Sequence, residues 1–327
     1  MPHLVLYRQY GPPAETVEAV EIASAQPGPG EVRIHRILAP INPADLNTIE
    51  GKYPVRYPLP ATPGIEGVGT VAEVGAGVAD LQPGMAVLLP HGYGTWREEG
   101  IVEAAKLCPV PEGVPYQEAA MLKVNPATAW RMLHDFVPPQ PGAWVVQNAG
   151  NSGVGRAVIA IAQHLGLKTV SLVRRPELID ELTAAGADVV LLDDDNAKET
   201  IKERTGGAKI LLGLNSIGGE SAIRVANALA ANGKVVTFGA MSRQPVKLPT
   251  GLLIFKNIQF LGYWMTRWYE RSSEADRRVF YAELFQLAQA GAFQTPVEHI
   301  YPVTEIRQAV THALEGARGG KILLGTS

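Results

Sequence analysis

Six short apolar runs, Trp144–Gln147, Thr169–Val173, Val189–Leu192, Ile210–Leu214, Val235–Phe238 and Ile258–Leu261, alternate with stretches of helical texture in the second half of the chain. Short runs with few polar interruptions suit strands covered on both faces, and strands that alternate with helices build a doubly wound parallel sheet. The first helix of the series repeats apolar residues at Val154, Val158, Ile161 and Leu165, with Gly166 where a helix commonly ends. The next, Pro176 to Ala185, places proline at its start and Gly186 after its end.

Between the first strand and the first helix lies Ala149-Gly150-Asn151-Ser152-Gly153-Val154-Gly155. Such a turn lets a pyrophosphate meet backbone N–H groups at a helix amino terminus. Ser152 stands at the middle position of the G-x-G-x-x-G pattern, and alone the turn reads equally as a tight connection that needs small residues. The six-strand series around it favours the cofactor reading. At the end of the second strand, Val173-Arg174-Arg175-Pro176 has two guanidiniums where an NAD-binding chain usually places a carboxylate on the ribose hydroxyls. Their forked donors match a 2′-phosphate, so NADPH is the expected cofactor. The bland alternative is a solvated arginine pair before a surface helix.

The first part of the chain has another texture, rich in Gly and Pro, with short β-branched runs at Val32–Leu38, Val68–Val74 and Ala86–Leu89. That pattern suits an irregular, mostly β domain. After Trp268 come a helix around Glu274–Ala290, an extended Val297–Pro302, a helix after Thr304 and a strand-like Lys321–Leu324. The expected division is residues 1–118 with 269–327 as one domain and 119–268 as the other. A chain of 327 residues, 46% hydrophobic, is long enough for two, since single cores rarely grow past roughly 250–300 residues.

The 29 basic and 32 acidic residues nearly cancel and are interspersed, so neither nucleic acid nor an anionic membrane is an expected partner. No apolar stretch approaches membrane length and no leader is apparent, so a soluble, cytoplasmic protein is expected. The single cysteine, Cys108, excludes an intrachain disulfide and a multi-cysteine metal cage. The seven histidines, at 3, 35, 91, 134, 164, 299 and 312, lack the spacing of a helical ligand pair and speak against a Ser-His-Asp hydrolase.

Several segments taken together are more specific than any one. They are Asn42-Pro43-Ala44-Asp45-Leu46-Asn47 with Gly51-Lys52-Tyr53, Pro63 to Gly69, Val124 to Ala129, Gln147 to Gly155, Phe238 to Ser242 and Gly262-Tyr263-Trp264. With them the chain resembles, through nearly its whole length, the zinc-free medium-chain dehydrogenases/reductases, and among these the 2-enoyl thioester reductases. The resemblance implies an α/β protein with a GroES-like, mostly β catalytic domain and a Rossmann NADPH-binding domain. It also implies reduction of trans-2-enoyl thioesters, carried on coenzyme A or acyl carrier protein, and a homodimer formed through the strand at Tyr263 and Trp264. Zinc-dependent members carry a cysteine where this chain has the Asn42–Asp45 loop and a histidine where it has Ile65, so no metal is expected.

By position Tyr53 resembles the proton donor, and Trp264 borders the substrate pocket or an interface. Asn47 either bonds within its own loop or orients Tyr53 and the substrate carbonyl; for Asp45 the local role is preferred. Asn125, Thr128, Asn151, Ser152, Gly153, Val154, Arg174, Arg175, Pro176, Phe238, Gly239, Ala240, Met241, Tyr263, Trp264, Met265 and Lys321 resemble cofactor contacts. By residue type alone Tyr53 would be an amphipathic loop residue with its hydroxyl in solvent. A tyrosine hydroxyl, with a reference pKa of about 10, stays protonated at neutral pH and is able to protonate an enolate carbon. Two other readings stand beside this one: an NADPH:quinone oxidoreductase, which needs no dedicated proton donor, and a non-catalytic NADPH-binding sensor or scaffold.

Overall fold

The computed structural model describes residues 1–316 and 318–325. The chain divides into one unit of Met1–Val124 with Arg271–Ser327 and a second of Asn125–Glu270. The divisions thus fall at Val124 and Arg271, where sequence texture alone placed them near residues 118 and 269.

The first unit is organised on the ten-residue strand Glu31–Pro40, which pairs antiparallel with Val68–Val74, Glu99–Glu103 and Lys321–Gly325. Its alternating Val32 and Ile34 turn inward onto Val71, Val87, Leu89 and Leu107, the period of two that a half-buried strand requires. The carboxyl-terminal tail returns to this sheet, with Val297–Tyr301 parallel to Lys321–Gly325. Helix Ile306–Leu314 buries Ile306, Ala309, Val310 and Ala313, spaced along one helical face, in the same core as Tyr7, Trp96 and Ile322.

The Asn42–Asp45 segment is not a loop. It opens a helix, α1 (Pro43–Ile49), with proline at its start and the Asp45 carboxylate accepting the Asn42 backbone N–H at 2.8 Å. Proline at a first helical position loses no bond, and a carboxylate two residues on meets otherwise orphan amides. The residue types that suggest a turn are also those that start a helix.

The second unit holds six parallel strands: β1 (Trp144–Asn148), β2 (Lys168–Val173), β3 (Val189–Leu192), β4 (Leu212–Asn215), β5 (Lys234–Thr237) and β6 (Gln259–Gly262). Their order, β3-β2-β1-β4-β5-β6, reverses between β1 and β4. In open sheets of this kind ligands bind outside the carboxyl ends of the strands at the reversal. Helix α2 (Asn125–Asp135) precedes the sheet, and α3 (Gly153–His164) follows β1. Val158 and Ile161 are buried as expected, whereas Val154 and Leu165 lie half-buried at the two ends. The helix expected from Pro176 starts two residues later, as α4 (Leu178–Ala184), and the proline belongs to the turn before it.

Candidate functional site

The turn from β1 to α3 is packed so closely that its glycines have no substitute. A Cβ on Gly155 would stand 2.5 Å from the Gly150 carbonyl oxygen, and one on Gly150 would stand 2.7 Å from the Ser171 Cβ. Ser152 occupies the middle glycine position for a positive reason: it is the N-cap of α3, and its Oγ accepts the Gly155 N–H at 3.1 Å. Asn151, Ser152, Gly153 and Val154 are all half-buried. Asn125, at the start of α2, reaches this turn; its Nδ2 is buried with no hydrogen-bond partner among the described residues, 2.6 Å from where a Gly153 Cβ would be. Thr128, one turn along α2, is buried as well. A buried donor left open beside a helix amino terminus fits a ligand with acceptor oxygens.

A network of amides and hydroxyls holds the strand ends beneath this turn. Gln147 Nε2 donates to the Gly155 carbonyl (2.9 Å) and to Ser171 Oγ (3.0 Å). Asn148 Nδ2 donates to Asn215 Oδ1 (2.8 Å) and Ser221 Oγ (2.9 Å), and Asn148 Oδ1 accepts the Ser216 N–H (2.8 Å). These groups are buried and satisfied, so they fix β1 against β4 where the order reverses. The sequence reading left them unassigned, although the polar Gln147-Asn148 pair closing an apolar strand is a signal for them.

Arg174 and Arg175 follow the last residue of β2, the first exposed and the second half-buried, with Pro176 exposed behind them. Arg175 has Glu177 as a neighbour at 3.5 Å. The Phe238-Gly239-Ala240-Met241 segment leaves β5 and is tied to the loop after β4: Phe238 N–H donates to the Asn215 carbonyl and Met241 N–H to the Ser216 carbonyl, each at 3.0 Å. After β6, the Tyr263 hydroxyl donates to Met265 Sδ at 3.1 Å and its ring stands edge-on to Phe136; burial, with Asp135 adding, raises the hydroxyl's pKa. Trp264 is half-buried, with the Arg267 guanidinium 6.0 Å from its ring centre.

In the first unit, Asn47 lies at the end of α1 and its carbonyl accepts the N–H groups of Lys52 (2.9 Å) and Tyr53 (3.1 Å). The main chain therefore sets Tyr53 just beyond the helix, half-buried. At the other end of α1 lies a cluster the sequence reading saw only in part. Asn42 Nδ2 donates to Glu66 Oε1 (2.8 Å), the Val124 N–H donates to Glu66 Oε2 (2.8 Å), and Lys321 Nζ donates to Asn42 Oδ1 (2.6 Å). Lys123 donates to the Leu89 carbonyl and faces Glu66. Burial pushes Glu66 up and Lys321 down, and lowers Lys123 to about 8. Among the described residues no group of three His, Cys, Asp or Glu is placed to hold a metal ion.

Residues 28–112 match the alcohol dehydrogenase GroES-like domain and residues 153–280 the zinc-binding dehydrogenase domain. A rat protein named mitochondrial enoyl-[acyl-carrier-protein] reductase is 38% identical over 317 residues, 95% of this chain and 85% of its own length. The chain belongs to the medium-chain dehydrogenase/reductase superfamily. Its two units are the superfamily's GroES-like and Rossmann-like domains, and it is an oxidoreductase. Among solved members of the superfamily, Etr1p, a 2-enoyl thioester reductase of Candida tropicalis described in complex with NADP and crotonyl-CoA, is 29% identical, with a TM-score of 0.90 over 99% of each chain. A mycobacterial quinone oxidoreductase is 26% identical, with a TM-score of 0.86 over the whole of each chain.

Proposed function

We propose that this oxidoreductase uses NADPH to reduce the carbon–carbon double bond of trans-2-enoyl thioesters, with hydride added at Cβ and a proton delivered to Cα by Tyr53. The observation that carries the reading is the 38% identity, over 95% of the chain, to the rat enoyl-[acyl-carrier-protein] reductase; the side chains supply the chemical reason. The open Asn125 Nδ2 beside Gly153 and the amides at the start of α3 fit the oxygens of a dinucleotide, and Arg174 and Arg175 fit its 2′-phosphate. When bound, NADPH supplies the hydride.

The protein's own groups do the rest. The turn from Asn151 to Val154 binds phosphate through its backbone, and Thr128, Pro176, the Phe238–Met241 loop and Tyr263 to Met265 border the cofactor. Lys321 joins them in the family pattern while its ammonium holds Asn42 at the start of α1. Trp264 borders the substrate, Asn47 sets Tyr53, and Tyr53 gives its proton to the enolate carbon. The β6 strand is an edge of its sheet, and the proposal extends to a homodimer paired through it, which the Etr1p/Etr2p heterodimer supports by likeness.

The quinone oxidoreductase reading is favoured by the likeness to the mycobacterial structure and to a Bacillus thuringiensis structure described as a putative NADPH:quinone reductase. NADPH oxidation followed with crotonyl-CoA, a longer trans-2-enoyl-CoA and a benzoquinone separates the two by kcat/KM. Preference for an enoyl-CoA is expected; turnover with the quinone only would establish the second reading, and cofactor binding without turnover would point to a sensor. The arginine pair has its own test. Replacing both Arg174 and Arg175 with Ala is expected to lower kcat/KM for NADPH about 10–100-fold, the range for one lost charged hydrogen bond, with NADH little changed. An equal fall with both cofactors would remove the pair from 2′-phosphate recognition.

A further inference from the structure

The hydrogen bonds beneath the β1–α3 turn have a direction as well as a geometry. They run from Asp193 through Ser221, Asn148 and Asn215 to Thr237, across the carboxyl ends of β3, β1, β4 and β5. Groups whose roles cannot reverse fix that direction. The Asp193 carboxylate, paired with the Arg224 guanidinium at 3.3 Å, only accepts, so Ser221 gives it its one hydrogen and takes a hydrogen from Asn148 Nδ2 at 2.9 Å. Backbone N–H groups only donate. Ser216 N–H meets Asn148 Oδ1 at 2.8 Å, while Ile217 and Gly218 N–H meet Asn215 Oδ1 at 3.2 and 3.0 Å. Each buried amide is thereby held in one orientation.

The consequence falls on Thr237. Asn215 Oδ1 already accepts from Asn148, Ile217 and Gly218, so Asn215 presents Nδ2 to Thr237 Oγ1 at 3.1 Å, and Thr237 accepts. Among the described residues the Thr237 hydroxyl makes no other hydrogen bond. Its inward side is occupied by a donor, and its own hydrogen is left to point away from the network. Thr237 closes β5, is half-buried, and its carbonyl accepts the Tyr263 N–H at 2.9 Å, which holds it against the segment after β6.

The dinucleotide reading sets what lies over that strand end. It places the 2′-phosphate on Arg174 and Arg175 after β2 and the pyrophosphate on the turn after β1. With the strands in the order β3-β2-β1-β4-β5-β6, a dinucleotide that begins at β2 and crosses at β1 has its other half over β4 and β5. That half carries acceptors, the ribose oxygens and the carboxamide oxygen. We propose that Thr237 is a cofactor-binding residue that donates its hydroxyl hydrogen to an oxygen of the nicotinamide half of NADPH, and that Asn215 is the positioning residue that keeps this hydrogen turned outward. The inference rests on the NADPH reading.

The test reads binding, not turnover: a fluorescence titration of NADPH beside calorimetry of 2′-phospho-ADP, which has the 2′-phosphate and the pyrophosphate but no nicotinamide riboside. Thr237→Val is expected to bind NADPH about 10-fold more weakly, as for an acceptor left unmet, with 2′-phospho-ADP within about twofold of wild type and Thr237→Ser within about twofold for both ligands. Asn215→Asp keeps an oxygen for the Ile217 and Gly218 N–H groups but turns a second oxygen toward Thr237, whose hydrogen then points inward. The same selective loss is expected there, although Thr237 is intact. Should Asn215→Asp fail to fold, the Val and Ser variants decide alone. NADPH affinity unchanged in Thr237→Val overturns the proposal, as does an equal loss for both ligands or a Ser variant no better than Val. Unchanged NADPH affinity in a folded Asn215→Asp overturns the positioning role. Wild-type protein that binds neither ligand defeats the NADPH reading and this inference with it, whereas wild-type binding of both beside unaffected variants defeats this inference alone.

Discussion

Tyr53→Phe is expected to lower kcat with crotonyl-CoA by ~10²–10⁴-fold, the contribution typical of a positioned general acid, while NADPH affinity stays within about twofold of wild type. The loss corresponds to about 3–5 kcal/mol of transition-state stabilisation. Phenylalanine keeps the ring and its packing, and the two N–H bonds to the Asn47 carbonyl that set this stretch of chain come from the backbone of Lys52 and Tyr53. What is removed is the hydroxyl, and with it the proton to be donated. The residues assigned to the cofactor, apart from Lys321, lie in the other unit, so binding should survive. Steady-state rates with a fluorescence titration of NADPH measure both quantities. An unchanged kcat would exclude Tyr53 as the donor; a large loss of NADPH affinity would make it a binding residue.

The sequence makes the second unit almost fully legible because its signals are local. Each buried parallel strand is a short apolar run, and each glycine of the β1–α3 turn stands where a side chain would strike backbone or a neighbouring residue, so pattern and geometry say the same thing. The Ser152 departure from the glycine pattern was visible but not interpretable until the structure showed its hydroxyl capping α3. In the first unit the site is assembled from segments far apart in the chain, and local signals mislead. Asn42 and Asp45 have the composition of a turn yet start a helix, and the partner of Asn42, Lys321, is 279 residues away. Glu66 appeared in the sequence only as the neighbour of a missing histidine. Its bonds to Asn42 and Val124 are properties of packing. Tyr57 carries no motif, and its place with Asp45 in one cavity wall is a property of the fold.

Glu66→Ala is expected to destabilise the first unit by about 3–5 kcal/mol, the usual cost of removing one member of a buried ionic group. In that unit the loss should appear as a fall in Tm on the order of 10 °C. The whole cluster is not a strong stabiliser, since burial raises Glu66 and lowers Lys123 and Lys321 despite their mutual attraction. Desolvation outweighs pairing for each group. Removing the carboxylate nevertheless strips Lys123 and Lys321 of the anion they both face, and leaves the Asn42 Nδ2 and the Val124 N–H without the acceptors they have. Glu66→Gln should recover only part of the loss, because it restores one acceptor but turns an amide donor toward a donor and leaves the two ammoniums uncompensated. Thermal denaturation of both variants beside Lys321→Met measures this. If Glu66→Ala unfolds within a degree or two of wild type, the cluster is relieved by water or by loss of a lysine proton, and the rigidity assigned to the start of α1 has another source.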